Sequence, residues 1–156
     1  MPSDSDIPSP ALGPTETLTF RLIVLVNELV RPFNAGEGAR HGITLSDWRC
    51  MLWIEAHPGA SGEDTAEGTA MDRMTVSRCL RRLLAADLAS RATDPADRKR
   101  SQWWLTDKGR EVHAALMPRA FARDALIAAD MDPETLQAVT GFVDAAIAKL
   151  RADNRG

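Results

Sequence analysis

Apolar residues recur at helical spacing near the start of the chain. Leu18, Leu22, Leu25 and Leu29 form one series, Leu22, Val26 and Val30 another, and together they predict a helix over 15–33. Ile23 and Val24 fill the remaining directions. A helix apolar nearly all round has to be buried nearly all round. A chain of 156 residues has little mass to surround it, which implies a second subunit.

The pattern then breaks at the Gly-rich stretch "NAGEGARHG" from Asn34, read as a connector. Thr44-Leu45-Ser46-Asp47 opens a second helix with the logic of a capping box, and His57-Pro58-Gly59 stops it. Ser61-Gly62-Glu63-Asp64 offers another capped start for a short helix to about Gly68. Asp72 can cap a third helix running from Arg73 to about Ala86. Two strands follow, 88–92 and 101–105, around an Asp-Pro turn. Thr106 then caps a long helix with Asp107 in its first turn and Pro118 expected to kink it. Asp132-Pro133-Glu134 begins the last helix, with Leu136, Val139, Val143, Ile147 and Leu150 on one stripe.

Composition narrows the classes. The apolar fraction of 44% is that of an ordinary globular domain. The N-terminal "MPSDSDIPSPALGP" reads as a flexible arm over 1–14, with no signal-peptide pattern. The apolar run 18–30 is too short to span a membrane, and Cys50 and Cys79 are too few for a disulfide framework, so the chain is expected to be cytoplasmic. Net charge is −3, yet Met71–Arg110 holds ten of the nineteen Lys and Arg against five acids. That local excess of +5 is the footprint expected of a polyanion-binding surface.

Helix, tight turn, helix and two-stranded hairpin make a winged helix-turn-helix: a mainly α fold with a small β wing. On the second helix of the motif, Val76, Cys79, Leu80 and Leu83 form the inward face. Met74, Thr75, Arg78, Arg81 and Arg82 form the outward one, with no acid between Arg73 and Arg82. A solvated face rich in Arg usually interleaves acids at i,i+4, so this face is read as entering a major groove, where Arg pairs bidentately with guanine. Arg73 suits a phosphate. At the hairpin tip, Arg98 is placed at an adjacent minor groove, with Lys99 and Arg100 on the DNA backbone. Asp94 and Asp97 can bond back to the turn or to an arginine. Trp103 and Leu105 alternate inward to anchor the hairpin, Trp104 packs on its outer side, and Gly109 allows a close backbone approach.

These stretches resemble the MarR family of transcriptional regulators. "DPADRKR" before "LTDKGR" looks like the family's wing signature, Asp-Pro-x-Asp-Arg-Arg before Leu-Thr-x-x-Gly. "TLSDWRCMLWI" and "MDRMTVSRCLRRL" are similar to the helix after the dimerisation helix and to the recognition helix. The likeness covers about 15–152. It implies a winged helix-turn-helix over 44–106, flanked by dimerisation helices over 15–35 and 107–152, in an obligate homodimer. It also implies binding to a pseudo-palindromic operator in double-stranded DNA and, often, release by a small aromatic or phenolic acid. Thr75, Ser77 and Arg78 match recognition-helix positions, Asp97 the wing acid that orients an arginine, and Arg98 the tip arginine. Lys99 stands where a second Arg is usual, Asp87 replaces the usual Gly before the wing, and "GEDTAEGTAM" lacks the usual Leu-Ala pair.

Weaker signals remain. Trp48, Arg49 and Trp53 share one helix, and an Arg beside aromatics can receive an aromatic carboxylate, with His41 and His113 as further lining. The alternative makes the Trp residues core and pairs Arg49 with an acid across the dimer. Cys79 beside Arg78 raises a thiol-redox response, against which stands its place on the apolar face. Neither a metal site, a cofactor motif nor a nucleophile with its base is recognisable, so an enzyme is not expected. A rival from another class is a winged-helix protein-interaction module without DNA binding.

Overall fold

The structure, a computed structural model, describes residues 13–93, 97 and 100–154. Expectations for the arm before residue 13, and for Asp94, Pro95, Arg98 and Lys99, lie outside the described residues. The chain divides at Ala114/Ala115 into two compact units.

A short 3-10 turn at Pro14–Glu16 leads into α1, Leu18–Pro32, whose N-cap Thr17 accepts from the Phe20 amide. The expected Gly-rich connector is helical instead. A wide π turn spans Phe33–Glu37, and the single turn α2, Gly38–Arg40, follows. Gly36, at φ +134°, leaves helical geometry inside the π turn, and Gly42, at φ +68°, leaves it after α2. Gly38 is there for contact: a Cβ at that position would lie 2.3 Å from the Phe33 ring and 2.6 Å from the Ile43 carbonyl. Gly36 and Gly42 instead supply positive φ, with nothing within 4 Å of a would-be Cβ.

Helix α3, Leu45–Ala56, begins with the capping box of Thr44 and Asp47 that the sequence predicts. Helix α4, Gly62–Thr69, begins with the box of Ser61 and Asp64, and α5, Arg73–Ala85, with Asp72 accepting from the Thr75 amide. In α4, Thr65 and Ala66 are buried. The inward face of α5 is as read: Val76, Cys79, Leu80 and Leu83 are all buried, against Met51 and Ile54 of α3 in the same core.

The wing has one strand more than expected. β1 (Ala60–Ser61), β2 (Ala89–Thr93) and β3 (Ser101–Leu105) form an antiparallel sheet in the order β1-β3-β2. Ala60 pairs with Trp103, and Ala89 with Leu105. Trp103 and Leu105 are buried and Trp104, half-buried, faces Gly59 on the other side, 3.5 Å from where a Cβ would stand. The turn into the wing is made without a glycine. Asp87 itself adopts the left-handed region at φ +58°, while the Leu88 amide bonds the Leu83 carbonyl at 2.8 Å. The Thr106 hydroxyl donates to the Asp87 carbonyl at 2.7 Å and accepts from the Gly109 amide at 3.0 Å, which starts α6, Asp107–Ala128. Pro118 lies inside α6 without ending it. Helix α7, Pro133–Asp153, is capped by Asp132.

Candidate nucleic-acid interface

Helix α5 presents its basic residues because its apolar period spends the opposite face on the core. Arg73, Met74, Ser77, Arg78 and Arg81 are exposed, and Thr75 is half-buried. Arg78 donates to the Thr75 hydroxyl at 3.2 Å and Arg81 Nε to the Ser77 carbonyl at 3.3 Å, bonds along the helix that order two long side chains on one face. Beside this face runs an open cleft of about 370 Å³, floored by Leu80 and Trp103. Arg73 and Arg81 border it from α5, Arg91 from β2, and Arg100 from the far side of the wing. Arg73 is ion-paired with Glu63 of α4, both side chains largely exposed.

Arg91 is absent from the residues singled out above, although the sequence carries its signal. In a strand that buries Ala89, Arg91 two positions on belongs to the same face, continuing it from the core to the cleft rim.

At the wing tip, Asp97 is exposed and its carbonyl accepts from the Arg100 amide at 2.9 Å. The Arg100 guanidinium turns inward. It donates to Ser61 Oγ at 2.9 Å and meets both carboxylate oxygens of Asp64 at 3.3 Å. Asp64 is held below the usual carboxylate range, first by its bonds to the Ser61 amide and hydroxyl and then by Arg100.

Arg82 also has an internal partner. Its NH2 group donates to Asp47 Oδ1 at 2.7 Å and Nε to Oδ2 at 3.3 Å, joining α5 to the start of α3. Asp47 is buried and also accepts from the Thr44 amide and hydroxyl. Burial raises its pKa, but the bonds from Arg82 and Thr44 outweigh burial and leave it below the ordinary value. Lys108 and Arg110 likewise serve the backbone, donating to the Ala86 and Leu105 carbonyls. The basic excess of this region is thus divided between an exposed cleft and internal ties.

Cys50 and Cys79 are free and fully buried. Burial first, then the neighbouring thiol for Cys50 and Asp47 for Cys79, pushes both pKa values up, so these thiols stay protonated. Among the described residues, no group of three His, Cys, Asp or Glu is gathered to hold a metal.

The residues considered for a small ligand fall into two sets. Trp48 is buried, with its ring 5.3 Å from that of His113 and 6.4 Å from that of Phe33. Half-buried His41 lies at the end of α2. Arg49 turns away and donates to the Thr69 carbonyl at 2.6 Å, at the C-terminal end of α4 where a cation is favourable. Trp53 stacks on His57 at 3.9 Å and covers Gly68, where a Cβ would lie 2.2 Å from its ring.

Residues 41–100 match the model of the MarR family. No curated protein sequence matches the chain. Among solved structures, a MarR protein from Peptoclostridium difficile superposes with a TM-score of 0.79 at 16% identity, covering 93% of this chain and 95% of that one. BpsR of Bordetella bronchiseptica, whose DNA binding is regulated by 6-hydroxynicotinic acid, gives 0.74 at 21% identity, over 88% and 97% of the two chains. PcaV of Streptomyces coelicolor, a transcriptional regulator solved with its natural ligand, gives 0.72 at 23%, over 90% and 97%. At these identities the superpositions speak for a shared winged-helix fold. Among the described residues, no helix is long and apolar enough to cross a membrane.

Proposed function

We propose, from the match of residues 41–100 to the model of the MarR family, that the chain is a transcriptional regulator that binds a pseudo-palindromic DNA duplex as a homodimer and represses by occluding the promoter. Helix α5 enters the major groove with Thr75, Ser77, Arg78 and Arg81, while Met74 packs on a base edge. Arg73 and Arg91 hold backbone phosphates from either side of the cleft, and the wing carries Arg98 to a minor groove, oriented by Asp97, with Lys99 on the backbone. The observation that carries this reading is the acid-free, exposed basic face of α5 beside a cleft bordered by Arg73, Arg81 and Arg91.

Homodimerisation is supported by the exposed apolar faces of α1 and α7. The flanking regions 15–35 and 107–152 then form the dimer and 44–106 reads DNA. For the effector, we favour an aromatic or phenolic acid beside Trp48 and His113, the set whose rings meet. Arg49 supports the carboxylate reading less, because a backbone carbonyl already occupies it. A thiol-redox response is disfavoured by two buried, protonated thiols.

Titration of a labelled duplex across a salt series tests the proposal. Affinity should fall steeply with salt, since each neutralised phosphate releases about 0.9 of a counterion. Salt-independent or absent binding would favour the protein-interaction module. The same titration with 6-hydroxynicotinic acid present should show weakened binding, and an unchanged affinity with that and related hydroxylated aromatic acids would remove the effector from the reading.

A further inference from the structure

The two acids in the first turn of α4 hold two of the cleft arginines, but in different ways. Glu63 meets Arg73 with both side chains largely exposed, 54% and 77%. Such a pair is weak and exchanges readily, so a phosphate can take the place of Glu63. Asp64 is built in. Its Oδ2 accepts from the Ser61 amide at 2.9 Å and from the Ser61 hydroxyl at 2.7 Å, while its own amide donates to Ser61 Oγ at 3.1 Å. This is the box that starts α4. Arg100 adds three bonds to the same two residues, and its backbone amide closes onto the Asp97 carbonyl. Ser61 also belongs to β1, paired with Gln102 of β3. One guanidinium therefore joins the returning side of the wing, the edge strand and the first helix of the motif.

Resting on the DNA-binding reading above, we infer that Arg100 is a positioning residue of the wing: its charge is spent on Ser61 and Asp64, not on a DNA phosphate, and α4 thereby sets where the wing tip meets DNA. These contacts all run from Arg100 Nη2, so swinging the guanidinium outward onto a phosphate would withdraw that nitrogen and leave the box of α4 without its cation. Among the described residues, Arg73 has Glu63 to leave.

The two roles differ in salt dependence and in the effect of Asp64. The full chain, with Arg100→Ala, Arg100→Lys, Asp64→Asn and the Arg100→Ala/Asp64→Asn double variant, is titrated with duplex DNA over a salt series. Hydrogen exchange at the Arg100 and Ser101 amides is followed without DNA. A positioning role predicts about fivefold weaker binding for either single substitution, an unchanged salt slope, no further loss in the double variant, no rescue by lysine, and faster exchange at both amides. Asp64→Asn weakens binding even though it removes a negative charge beside the cleft. The inference is overturned if Arg100→Ala lowers the salt slope by about 0.9 and lysine restores it, or if Asp64→Asn tightens binding. Should Asp64→Asn melt early, Arg100→Lys, which leaves the acceptors of α4 in place, decides between the two. A wild-type chain that binds no duplex overturns the DNA-binding reading and this inference with it. Wild-type binding with a phosphate-like Arg100 overturns this inference alone.

Discussion

The winged module and its flanking helices treat apolar surface in opposite ways. Within 44–106, Met51, Ile54, Val76, Leu80, Leu83, Leu88, Trp103 and Leu105 are all buried. The module encloses its own core. Helices α1 and α7 bury no residue: Leu18, Ile23 and Val26 are 54–55% exposed, and Phe142 and Leu150 exceed 50%. At about 25 cal/mol for each Å² removed from water, two such faces carry a strong drive to meet other apolar surface, and contiguous exposed apolar patches of this kind mark interaction sites. The module presents charge around a core of its own, and α1 and α7 leave apolar faces open that, in the proposed reading, a second copy covers.

The same chemical change should have opposite effects in the two regions. Gly109→Ala would place a Cβ 2.0 Å from the Leu88 carbonyl oxygen, a backbone atom that has nowhere to move. We expect a loss of about 3 kcal/mol, read as a lower urea midpoint. Gly141 of α7 has nothing within 4 Å of its would-be Cβ and lies opposite the Leu136–Leu150 stripe. Gly141→Ala should stabilise by about 1 kcal/mol through helix propensity. A tolerated Gly109→Ala, or a damaging Gly141→Ala, would erase the contrast between a closed core and an open face.

Between these in size is Asp47→Ala, which removes the box of α3 and the tie from α5. We expect a loss of about 2 kcal/mol, less than for a fully buried pair because Arg82 stays half exposed. Because the native pKa of Asp47 is depressed, its contribution is complete above the unfolded value near 4 and disappears as pH falls through the lower native value. Wild type and Asp47→Ala should therefore converge in stability at the acid end, and a constant difference down to full protonation would show that the carboxylate charge is not what joins α3 to α5.

Much of this was legible in the sequence where the cause is local. Thr44 with Asp47, Ser61 with Asp64, Asp72 and Asp132 each mark a helix start through a side chain that bonds a backbone amide three residues on. The inward face of α5 and the alternation of Trp103 and Leu105 follow from periodicity alone. What was not legible is long-range or too short to have a period. Arg82 looks like any outward arginine until its acceptor, 35 residues earlier in the chain, folds beneath it. Arg100 finds Ser61 across 39 residues. β1 is two residues long and exists only because β3 lies beside it. The helical continuation after Phe33 was hidden by glycines that read as a connector, because the close approach of Gly38 to Phe33 and Ile43 is not visible in sequence.

The account depends most on the completion of α1 and α7 by a second copy, since a pseudo-palindromic site requires two modules held at a fixed spacing. Sedimentation equilibrium of the full chain at micromolar concentration tests this directly. The account predicts a single species of twice the chain mass, with a sharp cooperative melt whose midpoint rises with protein concentration. A folded, stable monomer at that concentration would contradict it.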